Sequence, residues 1–264
     1  MRIKEIFEEK LSRGEKVIVP YITAGFPDLT DTINLIKVIE DSGCGIVEIG
    51  IPFSDPVADG PTIQYSSQKA LEKGVALREI LSLLRKNRGR FHIPLVLMGY
   101  YNPFYQFGLK NLLDEAKESG VEGFIVPDLP VEEAGEWVRL CRNYGIDTIF
   151  LVSPTTSLER AKMISELCTG FLYCVSVTGV TSARKELPPY LKDYLKNLRK
   201  ITDLPRAVGF GISTPEHIKM LYSYAEGMVV GSALINIIRE YSETPHLLRE
   251  TEKFLRKLVQ SASR

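Results

Sequence analysis

Short apolar runs, rich in β-branched and aromatic residues, alternate with amphipathic segments along nearly the whole chain. Between 30 and 40, for example, Ile33, Ile36 and Ile39 recur at helical spacing. The apolar runs predict strands, and the segments between them predict helices. The predicted strands are VIVPYI (17–22), IVEIGI (46–51), IPLVLMG (93–99), GFIVP (123–127), IDTIFLV (146–152), GFLYCVS (170–176), RAVGF (206–210) and GMVVG (227–231). The predicted helices span 30–40, 62–73, 77–86, 109–118, 131–143, 158–167, 190–199, 215–222 and 246–258.

Three joints between a helix and the next strand resemble one another. They read DSGCGIVEI (41–49), ESGVEGFIV (118–126) and NYGIDTIFL (143–151). Each places a glycine where a helix needs a left-handed residue just past its end, and an apolar strand follows. The three joints indicate a weak internal repeat of strand–helix units.

The alternation of strands and helices predicts an α/β fold in which parallel strands are joined by helical crossovers. Eight such units suit a closed (β/α)8 TIM barrel. An open doubly wound sheet is the alternative, but it favours a G-x-G-x-x-G turn after the first strand, and ITAGFPD (22–28) lacks one. Ile3, Phe7 and Leu11 add an extra N-terminal amphipathic helix. No linker divides the chain, so a single barrel domain is predicted over 1–264.

Composition narrows the class of protein. The chain is 44% hydrophobic and 25% charged, with 33 basic and 33 acidic residues, and this balance argues weakly against nucleic-acid binding. The four cysteines form no CxxC pair and the three histidines show no metal-ligand spacing, so reduced thiols and no metal are expected. The first residues lack the apolar core of a signal peptide, and no run approaches the ~20 residues that cross a bilayer. A cytoplasmic location is therefore expected.

The stretch VEIGIPFSDPVADG (47–60) carries the candidate acid and base. Glu48 interrupts an apolar strand, where desolvation should raise the pKa of its carboxyl. Asp59 follows that strand and precedes Gly60-Pro61, a helix start whose dipole should favour the anion and lower the pKa. Two carboxyls with pKa values shifted in opposite directions suit divided acid and base roles. In the alternative interpretation Glu48 points outward and Asp59 only caps the helix.

Glycines follow the last two predicted strands, where TIM barrels frequently bind phosphate. AVGFGIS (207–213) precedes a helix start at Ser213–Glu216 that resembles a capping box, and VVGSA (229–233) opens another helix-like segment. Because glycine lets backbone N–H groups approach an anion, Gly211, Gly231 and Ser232 predict a phosphate site. Gly209 is equally consistent with a tight turn alone.

Other residues fit packing roles. Trp137 is predicted to pack from a helix, Cys174 to fill a strand, and His92 to lie at the surface. Tyr173 is either a core residue or a phenol that points inward and reaches Asp59 or a substrate. The long polar segment 176–189 is either a lid that excludes water or a loose loop.

Seven motifs in this order resemble the tryptophan synthase alpha chain family. They are YITAGFPD, VEIGIPFSDPVADGPTIQ, LMGYYNP, VPDLPVEE, VSVTGVTSAR, VGFGIS and VVGSA, and the resemblance runs from about Ile18 to Ile238. IPFSDPVADGP is long and specific, whereas the glycine turns alone would not be. The resemblance implies a (β/α)8 barrel that cleaves indole-3-glycerol phosphate to indole and D-glyceraldehyde 3-phosphate, with no cofactor in this chain.

The resemblance also implies roles for individual residues. Glu48 is expected to protonate C3 of the indole ring and then to take the proton of the glycerol hydroxyl. Asp59 is expected to stabilise positive charge at the indole nitrogen, with Thr181 engaging it on closure. The implied phosphate ligands are Gly211, Gly231, Ser232 and a backbone N–H near Ser182. The implied indole pocket is formed by Tyr21, Ile63, Tyr173, Thr181 and Phe210.

A partner is implied as well. Asp55 and Pro56 fall in the loop that, by resemblance, faces a beta chain carrying pyridoxal phosphate, which joins indole to serine within an alpha-beta-beta-alpha heterotetramer. Ser182 departs from the family, which usually has glycine there; a backbone donor survives, but serine restricts φ. Two alternatives stay open: a free-standing lyase that releases indole, and a non-catalytic barrel that activates a partner.

Overall fold

The computed structural model describes residues 2–176, 189–209 and 211–263. Within these ranges the chain forms nine strand segments, all paired in parallel in one sheet. The strands are β1 (Val17–Thr23), β2 (Val47–Gly50), β3 (Leu95–Met98), β4 (Val121–Ile125), β5 (Asp147–Ile149), β6 (Leu151–Val152), β7 (Leu172–Val175), β8 (Arg206–Gly209) and β9 (Gly227–Val230).

Helices surround this sheet. Those in the described ranges are α1 (Arg2–Ser12), α2 (Leu29–Asp41), α3 (Pro61–Glu72), α4 (Leu77–Asn87), α5 (Tyr101–Phe107), α6 (Leu109–Glu118), α7 (Gly135–Tyr144), α8 (Leu158–Leu167), α9 (Leu191–Leu198), α10 (Pro215–Leu221), α11 (Ser232–Tyr241) and α12 (Leu247–Ser261). A short 3-10 turn, Arg88–Arg90, follows α4. Gly43, Gly120 and Gly145 have positive φ angles of 85°, 77° and 69°, which confirms their predicted place at the helix ends.

The sheet closes into a barrel. Its strand order is β5-β4-β3-β2-β1-β9-β8-β7-β6, and the two outermost segments, β5 and β6, are consecutive in the chain. They form the single strand predicted over 146–152, interrupted at Phe150. The Phe150 N–H donates to the thiol sulfur of Cys168 over 3.4 Å, while the Phe150 carbonyl accepts from Tyr173 N over 3.1 Å. The predicted eight-unit (β/α)8 barrel is therefore confirmed, with one interrupted strand.

The predicted N-terminal helix is confirmed and packs against the barrel. Ile3 and Phe7 of α1 are fully buried, and the Phe7 ring lies 5.8 Å from that of Phe171. An added Cβ at Gly123 would come within 2.9 Å of Ile3, and one at Gly227 within 3.1 Å of Phe7. The helix therefore sits close to these strands because they carry glycine at the contact.

Predicted packing roles are confirmed on the outside of the barrel. Trp137 of α7 is buried and its ring stacks on Phe104 at 6.2 Å and meets Phe124 edge-on at 5.2 Å. Cys174 is buried as a free thiol, and His92 is exposed.

Helix α5 is not predicted by the sequence, because the signal that starts it is distant along the chain. The Asp128 carboxylate, from the loop after β4, accepts a hydrogen bond from Tyr101 N over 2.9 Å. This contact satisfies one of the N–H groups that the first turn of a helix leaves open. The local stretch GYYNP (99–103) carries no cap of its own.

Candidate active site

A pocket opens at the carboxyl ends of the strands, the end at which TIM barrels carry their active sites. It brings together most of the predicted site residues. The predicted acid, base and pocket residues that line it are Tyr21, Glu48, Asp59, Ile63 and Tyr173. The predicted phosphate ligands that line it are Gly211, Gly231 and Ser232. Thr181, Ser182, Phe210 and most of the predicted lid segment lie outside the described residues.

Glu48 points into the pocket from the middle of the sheet. It lies on β2, paired in register with Tyr21 of β1 and Val96 of β3, and is only 1% exposed. Neither carboxyl oxygen has a hydrogen-bond partner among the described residues. Desolvation, with a smaller contribution from the charge of Asp59, raises the pKa of Glu48 to about 8. The carboxyl is therefore largely protonated at neutral pH, and the interpretation in which Glu48 points outward is wrong.

Asp59 lines the same pocket from the loop before α3. Its Oδ2 accepts a hydrogen bond from the Tyr100 hydroxyl over 3.1 Å. It is not the helix cap, because the N-cap position of α3 is Gly60 and no side chain caps it. Burial raises the pKa of Asp59 to about 6, although the bond from Tyr100 lowers it.

The prediction of opposite pKa shifts for the two carboxyls is therefore wrong. Both pKa values are raised, because desolvation is the largest cause at each carboxyl and, at Asp59, outweighs the hydrogen bond from Tyr100. The pKa values of the two carboxyls still differ by roughly two, because Glu48 is fully buried while Asp59 is half-buried and accepts a hydrogen bond from Tyr100. Near pH 7 the pair still offers one protonated and one ionised carboxyl.

Tyr21 and Tyr173 both line the pocket, and glycines on the neighbouring strands make room for their rings. An added Cβ at Gly50 would lie 1.9 Å from the Tyr21 hydroxyl oxygen, and one at Gly209 would lie 2.3 Å from that of Tyr173. Gly209 is thus needed for the close approach of Tyr173. Burial, then nearby carboxylates, raises the pKa of both phenols well above the usual value, so both stay protonated.

The part of the pocket lined by Gly211, Gly231 and Ser232 has the features of an anion site. Gly211 adopts φ +84° in open space, a conformation that L side chains rarely adopt. Gly231 is the N-cap residue of the ten-residue helix α11, and its carbonyl accepts from Leu234 N over 2.9 Å. The N–H groups of Ser232 and Ala233 therefore lie in the first turn, ahead of the helix hydrogen bonds. Lys and Arg are absent from the described pocket lining, so an anion would be held by backbone N–H groups and the Ser232 hydroxyl.

Sequence reasoning missed several residues of the site. Met98, Ile212, Ser213, Val229 and Ala233 also line the pocket. Each lies within a few residues of a predicted strand end or glycine turn, and this position in the sequence could have indicated that it lines the pocket. Tyr100 lies in the segment after β3 that is polar in sequence, but its bond to Asp59 joins residues 41 positions apart.

The loop between β2 and α3 presents a surface next to the pocket. Asp55 is exposed, Pro56 is half-buried, and Val57 is 85% exposed. The loop is held from below, because the Ser67 hydroxyl accepts from Phe53 N over 2.9 Å and the Phe53 ring stacks on Tyr100 at 5.1 Å.

The described part of the chain carries neither a metal site nor a membrane span. No group of three or more His, Cys, Asp or Glu side chains there could hold a metal ion. No helix there is both long and apolar enough to cross a membrane.

The fold and the pocket define a (β/α)8 barrel in which two carboxyls, a glycine turn and a helix start line one pocket at the carboxyl ends of the strands. A sequence model described as tryptophan synthase alpha chain matches residues 7–263, and the chain belongs to this family.

Individual relatives agree with this assignment. The tryptophan synthase alpha chain of Thermoanaerobacter sp. (strain X514) is 44% identical over 257 residues, which is 97% of this chain and 98% of the relative. The crystal structure of tryptophan synthase subunit alpha from Legionella pneumophila is 36% identical, with a TM-score of 0.90 over 99% of this chain and 98% of that one. A chain of the tryptophan synthase complex from Pyrococcus furiosus is 42% identical, with a TM-score of 0.86 over 94% and 99%.

Proposed function

We propose that the chain catalyses the retro-aldol cleavage of indole-3-glycerol phosphate to indole and D-glyceraldehyde 3-phosphate, as a carbon–carbon lyase. The observation that carries this proposal is the enclosed Glu48 carboxyl, protonated near pH 7 and without a hydrogen-bond partner among the described residues, in one pocket with the more acidic Asp59. Membership of the tryptophan synthase alpha chain family supports the choice of indole-3-glycerol phosphate as the substrate.

Glu48 acts twice in the proposed reaction. Its carboxyl first donates a proton to C3 of the indole ring, which places positive charge on the ring nitrogen. The resulting carboxylate then takes the proton of the hydroxyl on the adjacent glycerol carbon. As that carbon becomes an aldehyde, its bond to C3 breaks and the electron pair returns to the ring. Glu48 ends protonated as it began, and a pKa of about 8 suits a group that must give and regain a proton.

Asp59 supports the charge that develops in between. With a pKa of about 6 it is mainly ionised above neutral pH, so it can accept a hydrogen bond from the ring N–H as positive charge builds there. Tyr100 holds the carboxylate in place through its bond to Oδ2. Tyr21, Ile63 and Tyr173 provide the apolar and aromatic surface that an indole ring requires.

The phosphate group would lie against Gly211, Gly231 and Ser232. Backbone N–H groups at a helix start favour an anion, and the positive φ of Gly211 supports a turn that side chains would strain. Anchoring the phosphate there fixes the distance from the anion to the scissile bond, so the substrate is oriented between the two carboxyls.

We also propose that the chain works in the cytoplasm with a tryptophan synthase beta chain, in an alpha-beta-beta-alpha heterotetramer. The Pyrococcus furiosus structure at 42% identity is described as a tryptophan synthase complex. The exposed loop around Asp55, Pro56 and Val57 is the proposed contact. The reaction proposed for this chain needs only acid–base groups, so pyridoxal phosphate is assigned to the beta chain.

The proposal is tested by measuring indole release from indole-3-glycerol phosphate, with and without a purified beta chain. Cleavage that rises sharply with the partner supports both the lyase and the complex. Strong cleavage that the partner leaves unchanged would indicate a free-standing lyase. A folded chain that cleaves nothing in either case, but raises the turnover of the beta chain, would show a non-catalytic activator.

A further inference from the structure

His217 is a buried imidazole that the proposed chemistry does not use. It lies on α10, directly after the glycine turn of the pocket, and is only 2% exposed. A buried polar side chain normally keeps its hydrogen-bonding atoms paired, so its partners indicate what it does.

The partners of His217 join the helix to the pocket turn. Its Nδ1 accepts a hydrogen bond from the backbone N–H of Ser213 over 3.3 Å. The backbone N–H of His217 in turn donates to the hydroxyl oxygen of Thr214, the N-cap residue, over 3.4 Å. This reciprocal pair resembles a capping box, but histidine replaces the usual Glu or Gln and reaches one residue beyond the cap.

Ser213 connects this cap to the anion site. It lines the pocket together with Gly211 and Ile212, two and one residues before it. A turn with a left-handed residue such as Gly211 has alternative conformations available, because glycine populates positive and negative φ almost equally. The His217 ring, held on α10, provides a fixed acceptor for the Ser213 N–H and so reduces the conformational freedom of the turn.

We propose that His217 is a positioning residue for the phosphate-binding turn, acting through the Ser213 N–H. The inference rests on the proposed function, since it assumes that Gly211 binds the substrate phosphate. Nδ1 is the acceptor for the Ser213 N–H, and the buried ring holds that acceptor at one place. The turn then does not have to be ordered when phosphate binds, which lowers the cost of binding.

The test compares three variants of the full chain. His217→Leu removes the acceptor, and His217→Asn keeps an acceptor atom at the position of Nδ1. His92→Leu, at the exposed histidine, serves as the matched control. The measurements are kcat and KM for indole-3-glycerol phosphate and the inhibition constant of inorganic phosphate, with thermal melting to confirm folding.

We expect His217→Leu to raise both KM and the phosphate inhibition constant about tenfold, the effect of one lost hydrogen bond, with kcat nearly unchanged. His217→Asn should stay within about twofold of the parent chain in all three values. Should His217→Leu fail to fold, His217→Phe removes the acceptor while keeping a ring.

Unchanged phosphate inhibition in the Leu or Phe variant would overturn the inference and leave the proposed function intact. Equal losses in the Leu and Asn variants, with kcat falling alongside, would also overturn it, because they would show a packing role only. A parent chain that cleaves the substrate yet is not inhibited by phosphate would refute the phosphate site and the inference with it.

Discussion

The Tyr100 hydroxyl donates a hydrogen bond to Asp59 Oδ2 over 3.1 Å and accepts one from Ala58 N over 2.9 Å. The same ring stacks on Phe53. One side chain therefore fixes the loop before α3 and stabilises the anion of the pocket's second carboxyl. The bond counteracts the desolvation that raises the pKa of Asp59 to about 6.

Tyr100→Phe is expected to raise the pKa of Asp59 by about one unit, because a hydrogen bond to the charged form is lost. Asp59 acts as an anion in the proposed mechanism, so activity is lost as pH falls through its pKa. The acid limb of kcat/KM, expected near pH 6 in the parent chain, should move to higher pH. The alkaline limb, set by Glu48 near pH 8, should stay in place.

The matched control is Tyr101→Phe, because the ring of Tyr101 lies against Tyr105. The pH profile of kcat/KM for Tyr101→Phe should keep both limbs at the pH values of the parent chain. An acid limb that does not move in Tyr100→Phe would contradict the assignment of that limb to Asp59.

Glu48→Gln is expected to abolish cleavage and yet to stabilise the fold at neutral and alkaline pH. The carboxyl has a pKa near 4.3 when unfolded and about 8 when folded, so the folded state binds the proton more tightly. Stability is therefore highest below the unfolded pKa and falls as pH rises through the folded value. The uncharged variant escapes this loss, which is on the order of 4 kcal/mol between pH 5 and pH 9.

Urea unfolding at pH 5 and pH 9 measures this effect. The parent chain should lose stability between the two pH values more than Glu48→Gln does. Asp55→Asn, which neutralises an exposed carboxylate, is the control and should follow the parent chain. If the stability of Glu48→Gln depends on pH in the same way as that of the parent chain, the raised pKa of Glu48 is refuted. If Glu48→Gln cleaves the substrate at the normal rate, the catalytic role of Glu48 is refuted.

The position of Glu48 was readable from sequence, because burying a carboxylate between apolar neighbours, on a strand enclosed by helices, is costly unless a pocket uses it. The pKa of Asp59 was not readable. The direction of its pKa shift depends on how far the folded pocket buries the loop and on the hydrogen bond from Tyr100, which follows a different strand. Helix α5 was missed for a similar reason, since its capping carboxylate, Asp128, comes from the loop after the next strand.

Gly209 shows the same limit in a single residue. From sequence it was equally consistent with a turn alone and with a role in the site. The structure shows that the neighbouring Tyr173 ring requires it, because an added Cβ would lie 2.3 Å from the phenol oxygen. Such a contact between adjacent strands depends on register, and β7 pairs Tyr173 with Ala207. Local propensity carries no information about that pairing.

Gly209→Ala is therefore expected to push Tyr173 into the pocket. Overpacking of this kind costs about 1–3 kcal/mol of folding free energy and should raise KM for the indole substrate about tenfold. Gly135→Ala is the control, since no atom lies within 4 Å of an added Cβ there, and it should leave KM unchanged without lowering stability.

The double variant Gly209→Ala/Tyr173→Ala distinguishes the contact from a backbone effect. Removing the ring should recover most of the stability that Gly209→Ala loses, measured as a double-mutant cycle of urea unfolding. Strictly additive losses would mean that Tyr173 is not what Gly209 accommodates.

The last prediction concerns the exposed loop. Val57 presents an aliphatic side chain that is 85% exposed, at the centre of a loop held in place by Ser67 and Tyr100. If this loop meets the beta chain, Val57→Glu would bury a charge in the interface and weaken association at least about tenfold. Leu248→Glu, on α12 and also exposed, should leave association unchanged. Titration of each chain with the beta chain, followed by the rise in indole release, measures both affinities, and equal affinities would place the contact elsewhere on the barrel.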